Sequence, residues 1–174
     1  MTFDPEVHKR KSIRLREYDY SQPGAYFITL CTHNRQCLFG EVVDGEMQLN
    51  ELGEVVQNCW DEIPNHYTNT ETDAFIVMPN HVHEILFINN NVGTRHAVSL
   101  RKFGNPIPNS LSTIVGGFKS AATRRINQQR NTPNTPVWQR NFYDHIIRDE
   151  DDLSNIRDYI VYNALKWESD KYFK

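Results

Sequence analysis

Apolar and polar positions along this 174-residue chain follow two different periods, and each change of period marks a predicted element. Residues 25–33 (AYFITLCTH) are dense in aromatic and β-branched side chains and follow a Gln-Pro-Gly turn signal, which predicts a strand. Segments 37–43 and Glu46–Leu49 flank Asp44-Gly45, a dipeptide suited to the positive φ of a tight hairpin. Beyond Asn50, a good helix cap, Leu52, Val55, Val56, Cys59, Trp60 and Ile63 return at helical spacing, predicting a helix to about His66. Residues 73–78 (DAFIVM) and His81–Ile88 (HVHEILFI) then read as buried strands joined at Pro79-Asn80. Ser110 or Ser112 opens a basic helix to about Gln129, and the run from Thr132 to Pro136 breaks it. Residues 141–148 (NFYDHIIR) predict a fourth main strand, and the acids at 149–152 head a last helix, where its dipole favours them. In that helix Leu153, Ile156, Ile160, Ala164 and Trp167 form one continuous stripe for burial.

The order strand, hairpin, helix, strand, strand, helix, strand, helix predicts an α+β fold. Its expected form is an antiparallel sheet covered by helices, ferredoxin-like or RRM-like. No repeat or linker divides the chain, so residues 1–174 are expected to form a single domain, with a basic N-terminal arm over about 1–20 and a mobile loop over about 89–108. No apolar run approaches the ~18–20 residues of a bilayer-spanning helix. The first residues lack an apolar signal-like stretch, and three cysteines without a CxxC pair argue for a reducing compartment. A cytoplasmic protein with no membrane partner is the expectation.

A formal net charge of -3 hides strong segregation. No Lys or Arg occurs between Gln36 and Gly93, whereas from Arg95 to Arg148 many bases meet a single acid, Asp144. Such clusters build local positive fields suited to a polyanion. On the second helix and beyond it, Lys119, Arg124, Arg125, Arg140 and Arg148 are candidate phosphate contacts. The arm adds Lys9, Arg10, Lys11, Arg14 and Arg16, interleaved with Tyr18 and Tyr20, whose rings can stack on unpaired bases.

Two imidazoles stand out. On a strand His81 and His83 share one face and Val82 takes the other. Two neutral imidazoles on a rigid strand begin a divalent-metal site, although the same pattern arises when one imidazole packs in a core and one is wet. Catalysis needs further ligands and an open position. The last helix offers the carbonyl oxygen of Asn163 as a third ligand, with Tyr159 one turn earlier and therefore close to the ion. Tyr162 falls on the far side with Asn155, Asp158 and Lys166 and is expected to face water. In strand 141–148, Tyr143 and His145 also share a face, so Tyr143 competes with Tyr159 as a nucleophile and His145 is another candidate ligand. Spacing leaves both tyrosines open.

Four segments in order, SIRLREYDYSQPGAYFITLCT, DAFIVMPNHVHEILF, STIVGGFKSAATRRIN and VWQRNFYDHIIRDEDDLSNIRDYIVYNALKW, resemble the REP-associated tyrosine transposases over nearly the whole chain. These are members of the single-tyrosine HUH (His-hydrophobe-His) transposase superfamily. The resemblance implies a ferredoxin-like HUH fold, a Mg²⁺ or Mn²⁺ ion, and single-stranded DNA, at repeat hairpins, cut and rejoined through a 5′-phosphotyrosine. It implies His81 and His83 as the metal pair, Asn163 as the polar third ligand and Tyr159 as the nucleophile. A monomer and a homodimer both suit it. No nucleotide cofactor is expected, because the phosphotyrosine stores the bond energy and the chain has no G-x-x-x-x-G-K-[ST] motif. Two positions depart from the family pattern. Ala164 stands where a proline is common, and Glu84 stands where a small residue follows the histidine pair; an acid beside the site tunes metal affinity or repels DNA. Two other readings compete: a non-catalytic nucleic-acid-binding module on an RRM-like sheet, and a zinc hydrolase that recruits His145 or Glu84 as a third strong ligand.

Overall fold

The apolar segments pair into one antiparallel sheet in a computed structural model, which describes residues 18–90 and 107–173. The chain runs through β1 (Gly24–Cys31), the hairpin β2 (Gly40–Val43) and β3 (Glu46–Leu49), α1 (Glu51–Asp61), α2 (Ile63–His66), β4 (Thr70–Met78) and β5 (His81–Ile88). It continues through α3 (Leu111–Arg130), β6 (Tyr143–Ile147), α4 (Glu150–Val161) and a 3₁₀ helix (Ala164–Ser169). The main sheet has the order β4-β5-β1-β6. Counting only its own strands, that is second, third, first, fourth, the ferredoxin-like arrangement, with the β2–β3 hairpin and α1 inside the first crossover. Arm residues Lys9, Arg10, Lys11, Arg14 and Arg16 and most of the 89–108 segment lie outside the described residues.

Alternation along β5 divides the core. Val82, Leu86 and Ile88 point to one face, where they join Tyr26, Ile28 and Leu30 beneath Val56 and Trp60 of α1 and Ile114 and Phe118 of α3. Ile85 points to the other face and packs with Phe27, Ile147, Leu153 and Ile160 beneath α4. His81 and His83 belong to this second face. Local chemistry starts each helix. Asn50 accepts from the amides of Leu52 and Gly53 (both 3.0 Å), Ser110 rather than Ser112 caps α3, and Asp149 accepts from the amide of Asp152 (2.8 Å). Caps of this kind contribute about 1 kcal/mol each. Asp44 and Gly45 both take positive φ (53° and 80°), as a two-residue hairpin turn requires.

Two predicted helices are divided. The first breaks at Glu62, because Pro64 in the first turn of α2 has no amide proton with which to continue α1. In the last, α4 stops at Val161 and the backbone tightens, so that Asn163 N bonds Ile160 O (3.2 Å) and Lys166 N bonds Asn163 O (3.1 Å). The single stripe is therefore split between two targets. Leu153 and Ile160 pack over Phe27 and Ile85, whereas Ala164 and Trp167 turn onto Met78 and Tyr172.

Candidate active site

His81 and His83 project from β5 with 0 % and 1 % of their surface exposed. Their Nε2 atoms are 3.1 Å apart. Each Nδ1 has its own partner: Asn80 Oδ1 lies 2.9 Å from that of His81, and Thr29 Oγ1 lies 2.9 Å from that of His83. Thr29 reaches it because β1 and β5 pair in a register that sets Thr29 opposite His83 and Cys31 opposite His81. Burial pushes the His81 imidazole down to about 4, and burial together with His81 pushes that of His83 well below its ordinary value. Both rings are neutral at pH 7, the form that ligates metal.

Tyr159 arrives from α4 with its hydroxyl 3.2 Å from His83 Nε2. Its ring meets His83 at 5.0 Å and stands edge-on to Phe27 at 6.0 Å. Burial raises the phenol to about 12, Asp170 and Tyr172 add to the rise, and a hydrogen bond from Asn163 opposes it. Asn163, buried just beyond the end of α4, donates from Nδ2 to Asp170 Oδ2 (3.4 Å). Its Oδ1 is buried with no hydrogen-bond partner among the described residues. Asp170 brings a carboxylate oxygen to within 4.8 Å of the ligating nitrogens of His81 and His83. The Tyr172 amide holds that carboxylate from the other side at 2.6 Å, and the Tyr172 ring covers His81 at 4.5 Å.

These donors fit a hard divalent cation. Two nitrogens each ~2.1 Å from one ion at right angles lie about 3 Å apart, which is the spacing of the two Nε2 atoms. The adjacent carboxylate supplies charge, and the orphaned Asn163 carbonyl is an oxygen donor whose burial is otherwise uncompensated. Asp170 escaped the sequence reading. It follows a 3₁₀ helix that no periodicity announces, and the one available signal is a carboxylate soon after the Tyr159–Asn163 pair.

The other candidates fall elsewhere. Tyr143 sits on edge strand β6, 41 % exposed, with its ring 6.3 Å from Phe27 and the ammonium of Lys171 5.8 Å from its centre. His145 is engaged by Asp152 at 2.8 Å at the head of α4. Glu84, expected beside the histidine pair, lies on the opposite face of the sheet, since it alternates with His83 along β5. Both of its oxygens are buried without a hydrogen-bond partner among the described residues. Burial drives its carboxyl well above the usual range, opposed by Lys119.

Among the bases, Lys119, Arg124 and Arg140 line an open groove of about 820 Å³ with Trp138. The groove lies near the His81 end of the sheet, where Gln139 N bonds Cys31 O (2.8 Å). Lys119 Nζ is tied to the carbonyls of Gln139 (2.6 Å) and Arg140 (3.3 Å). Arg125 is held by both oxygens of Glu62 (3.0 and 2.6 Å), which joins α3 to the α1–α2 corner. Arg148 is exposed just past β6. No helix among the described residues is long and apolar enough to cross a membrane.

No family model matches the chain. An uncharacterized protein of Haemophilus influenzae is 38% identical over 176 residues, spanning 98% of this chain and 97% of its own. A second Haemophilus influenzae protein, which carries the name of a REP-associated tyrosine transposase, is 26% identical over 152 residues, 85% of this chain and 74% of that one. Among solved structures, that of a REP-associated tyrosine transposase bound to a REP hairpin superposes with a TM-score of 0.60 at 20% identity, over 88% of this chain and 73% of that chain.

Proposed function

We propose that this chain acts as a REP-associated tyrosine transposase, in keeping with the relative that carries that name and the fold it shares with a solved one, and that it cleaves and rejoins single-stranded DNA at repeat hairpins through a covalent 5′-phosphotyrosine formed by Tyr159. The observation behind this reading is the half-buried Tyr159 hydroxyl, 3.2 Å from His83 Nε2, in one cluster with buried His81 and Asn163 and partly buried Asp170. We take residues 1–174 as one such domain, acting as a monomer or homodimer without a nucleotide cofactor.

His81, His83 and Asp170 would hold Mg²⁺ or Mn²⁺, with Asn163 as a further oxygen donor. Such an ion supplies Lewis acidity toward a phosphate and a positive charge that favours phenolate. The chain's own residues arrange the nucleophile. Phe27 and His83 fix the plane of the Tyr159 ring, and burial keeps its hydroxyl protonated at neutral pH. Asn163 opposes that effect with a hydrogen bond, so the phenol is poised rather than inert. The Tyr159 oxygen bonds to phosphorus as the bond from phosphorus to the 3′ oxygen breaks. The phenol gives up its proton and the departing 3′ oxygen takes one up. Attack by another 3′-hydroxyl reverses these changes, frees Tyr159 and joins a new strand. Phosphodiester bonds are conserved throughout, so no nucleotide hydrolysis is needed. Arg124 and Arg140 in the groove beside the His81 end of the sheet suit the phosphates of the strand. The arm bases Lys9, Arg10, Lys11, Arg14 and Arg16 suit the hairpin.

The test is incubation with single-stranded hairpin oligonucleotides from the flanks of the protein's own gene, with Mn²⁺, and a denaturing gel. A covalent protein–DNA band is expected from the wild type and none from Tyr159→Phe, with DNA binding unchanged. Adducts that persist in Tyr159→Phe and vanish in Tyr143→Phe move the role to Tyr143. Binding without any adduct reduces the protein to a nucleic-acid-binding module.

A further inference from the structure

We infer that Asn80 and Thr29 are positioning residues that hold the proton of each site imidazole on Nδ1, so that both Nε2 lone pairs converge on a single point. The inference rests on the reading of the pair as a cation site and assigns roles to two residues outside the donor set.

Asn80 is fully buried, and its amide has only one workable orientation. Its Nδ2 donates to the carbonyl oxygens of Tyr172 (2.8 Å) and Arg35 (3.4 Å). A flipped amide would set oxygen against those two carbonyl oxygens. The oxygen that therefore faces His81 Nδ1 at 2.9 Å can only accept. His81 must supply the proton from Nδ1, which leaves its Nε2 bare.

Thr29 acts on His83 by a different route. A hydroxyl can accept or donate, so the direction depends on its other neighbours. Thr29 also acts on the Tyr172 phenol, lowering its pKa as a hydrogen-bond donor would, and with its proton directed there it presents a lone pair to His83 Nδ1 at 2.9 Å. On the far side of the ring, the Tyr159 hydroxyl lies 3.2 Å from His83 Nε2; Asn163 acts on its oxygen as a donor, which leaves the phenol proton free to point at that nitrogen. Both contacts favour a proton on Nδ1 and a bare Nε2. The two nitrogens stand 3.1 Å apart, a spacing at which two bare lone pairs repel until a cation lies between them, so the contacts at Asn80 and Thr29 must outweigh a proton shared between the two Nε2 atoms. Asn80 does a second thing: the Tyr172 carbonyl it holds belongs to the segment whose amide fixes Asp170. One buried amide thus orients a histidine and anchors the carboxylate that faces it.

The experiment uses the full chain and reads proton position and Mn²⁺ affinity rather than turnover. In protein labelled with ¹⁵N-histidine and treated with EDTA, long-range ¹H–¹⁵N spectra are expected to show both site imidazoles protonated at Nδ1. A proton on Nε2 of either histidine in the wild type overturns the inference. Thr29→Val keeps shape and removes the acceptor; it is expected to move the His83 proton to Nε2 and weaken Mn²⁺ binding, by calorimetry, about 10- to 100-fold. Thr29→Ser is expected to restore both. Asn80→Asp keeps an acceptor at His81 and should bind Mn²⁺ more tightly than Asn80→Ala. Unchanged proton position and affinity in Thr29→Val also sink the inference. A wild type that binds no Mn²⁺ removes the cation reading instead, while its spectra still judge the two positioning residues.

Discussion

His83 and Glu84 are neighbours on β5, each only 1 % exposed, and they face opposite sides of the same sheet. Burial pushes both toward their neutral forms. The difference lies in what surrounds them. His83 has Thr29 at one ring nitrogen and Tyr159 and His81 at the other. Glu84 has no hydrogen-bond partner among the described residues at either oxygen. Lys119 opposes its raised carboxyl pKa, yet the ammonium donates to the carbonyls of Gln139 and Arg140. Burial of a titratable group does not by itself make a site. Directed partners on more than one side do.

The largest effect expected from this contrast is at His83. His83→Ala should abolish covalent adduct formation and weaken Mn²⁺ binding at least about 100-fold, judged by the loss of a ligand together with its orienting hydrogen bond. Retained affinity in calorimetry would put the ion elsewhere. On the α1/α3 face of the same strand, Leu86→Ala should cost about 2–5 kcal/mol of stability, read from urea unfolding, with Mn²⁺ affinity unchanged. A fall in affinity there would mean that the two faces are coupled.

Acid titration sharpens the comparison, because the two faces contribute opposite slopes in EDTA-treated protein. The folded His81 pKa of about 4 lies below its unfolded value of 6.5. As pH falls through that window the unfolded chain binds protons first, so stability drops, by up to about 1.4 kcal/mol per pH unit for this residue. His83, also lowered, adds to the same slope. Glu84 is raised, so the folded state keeps a proton that the unfolded chain loses above about 4.5. Its contribution therefore falls as pH rises. Glu84→Gln should steepen the gain in stability between about pH 4.5 and 6.5 and leave the variant more stable than wild type near pH 7.5. Urea midpoints across that range decide it, and identical slopes would contradict a neutral Glu84. The smallest effect concerns the site itself, where Glu84→Gln should leave Mn²⁺ affinity within about twofold, since the acid points away from the histidines.

Much of this was legible in the amino-acid order. The bounds of β5 and the shared face of His81 and His83 follow from alternation, as does the placement of Tyr159 and Asn163 on the sheet-facing flank of the last helix. Tyr162 is exposed, as its helical angle requires. The division of that helix was not legible, because its apolar stripe is continuous in sequence and is split only by the two surfaces it meets. The pairing of Arg125 with Glu62 was equally hidden. A basic residue in a basic cluster gives no sign of an acid 63 positions away.

Two imidazoles on one face of a strand need nothing beyond backbone geometry, so local order decided that much of the site, along with the helix that carries the phenol. The carboxylate that joins them was decided by the tertiary structure. Asp170 reaches the pair because Trp167 and Tyr172 pack with Met78 and because Asn80 holds the Tyr172 carbonyl across 92 positions of chain. Contacts of that range depend on how whole surfaces fit, and no period in the sequence carries them.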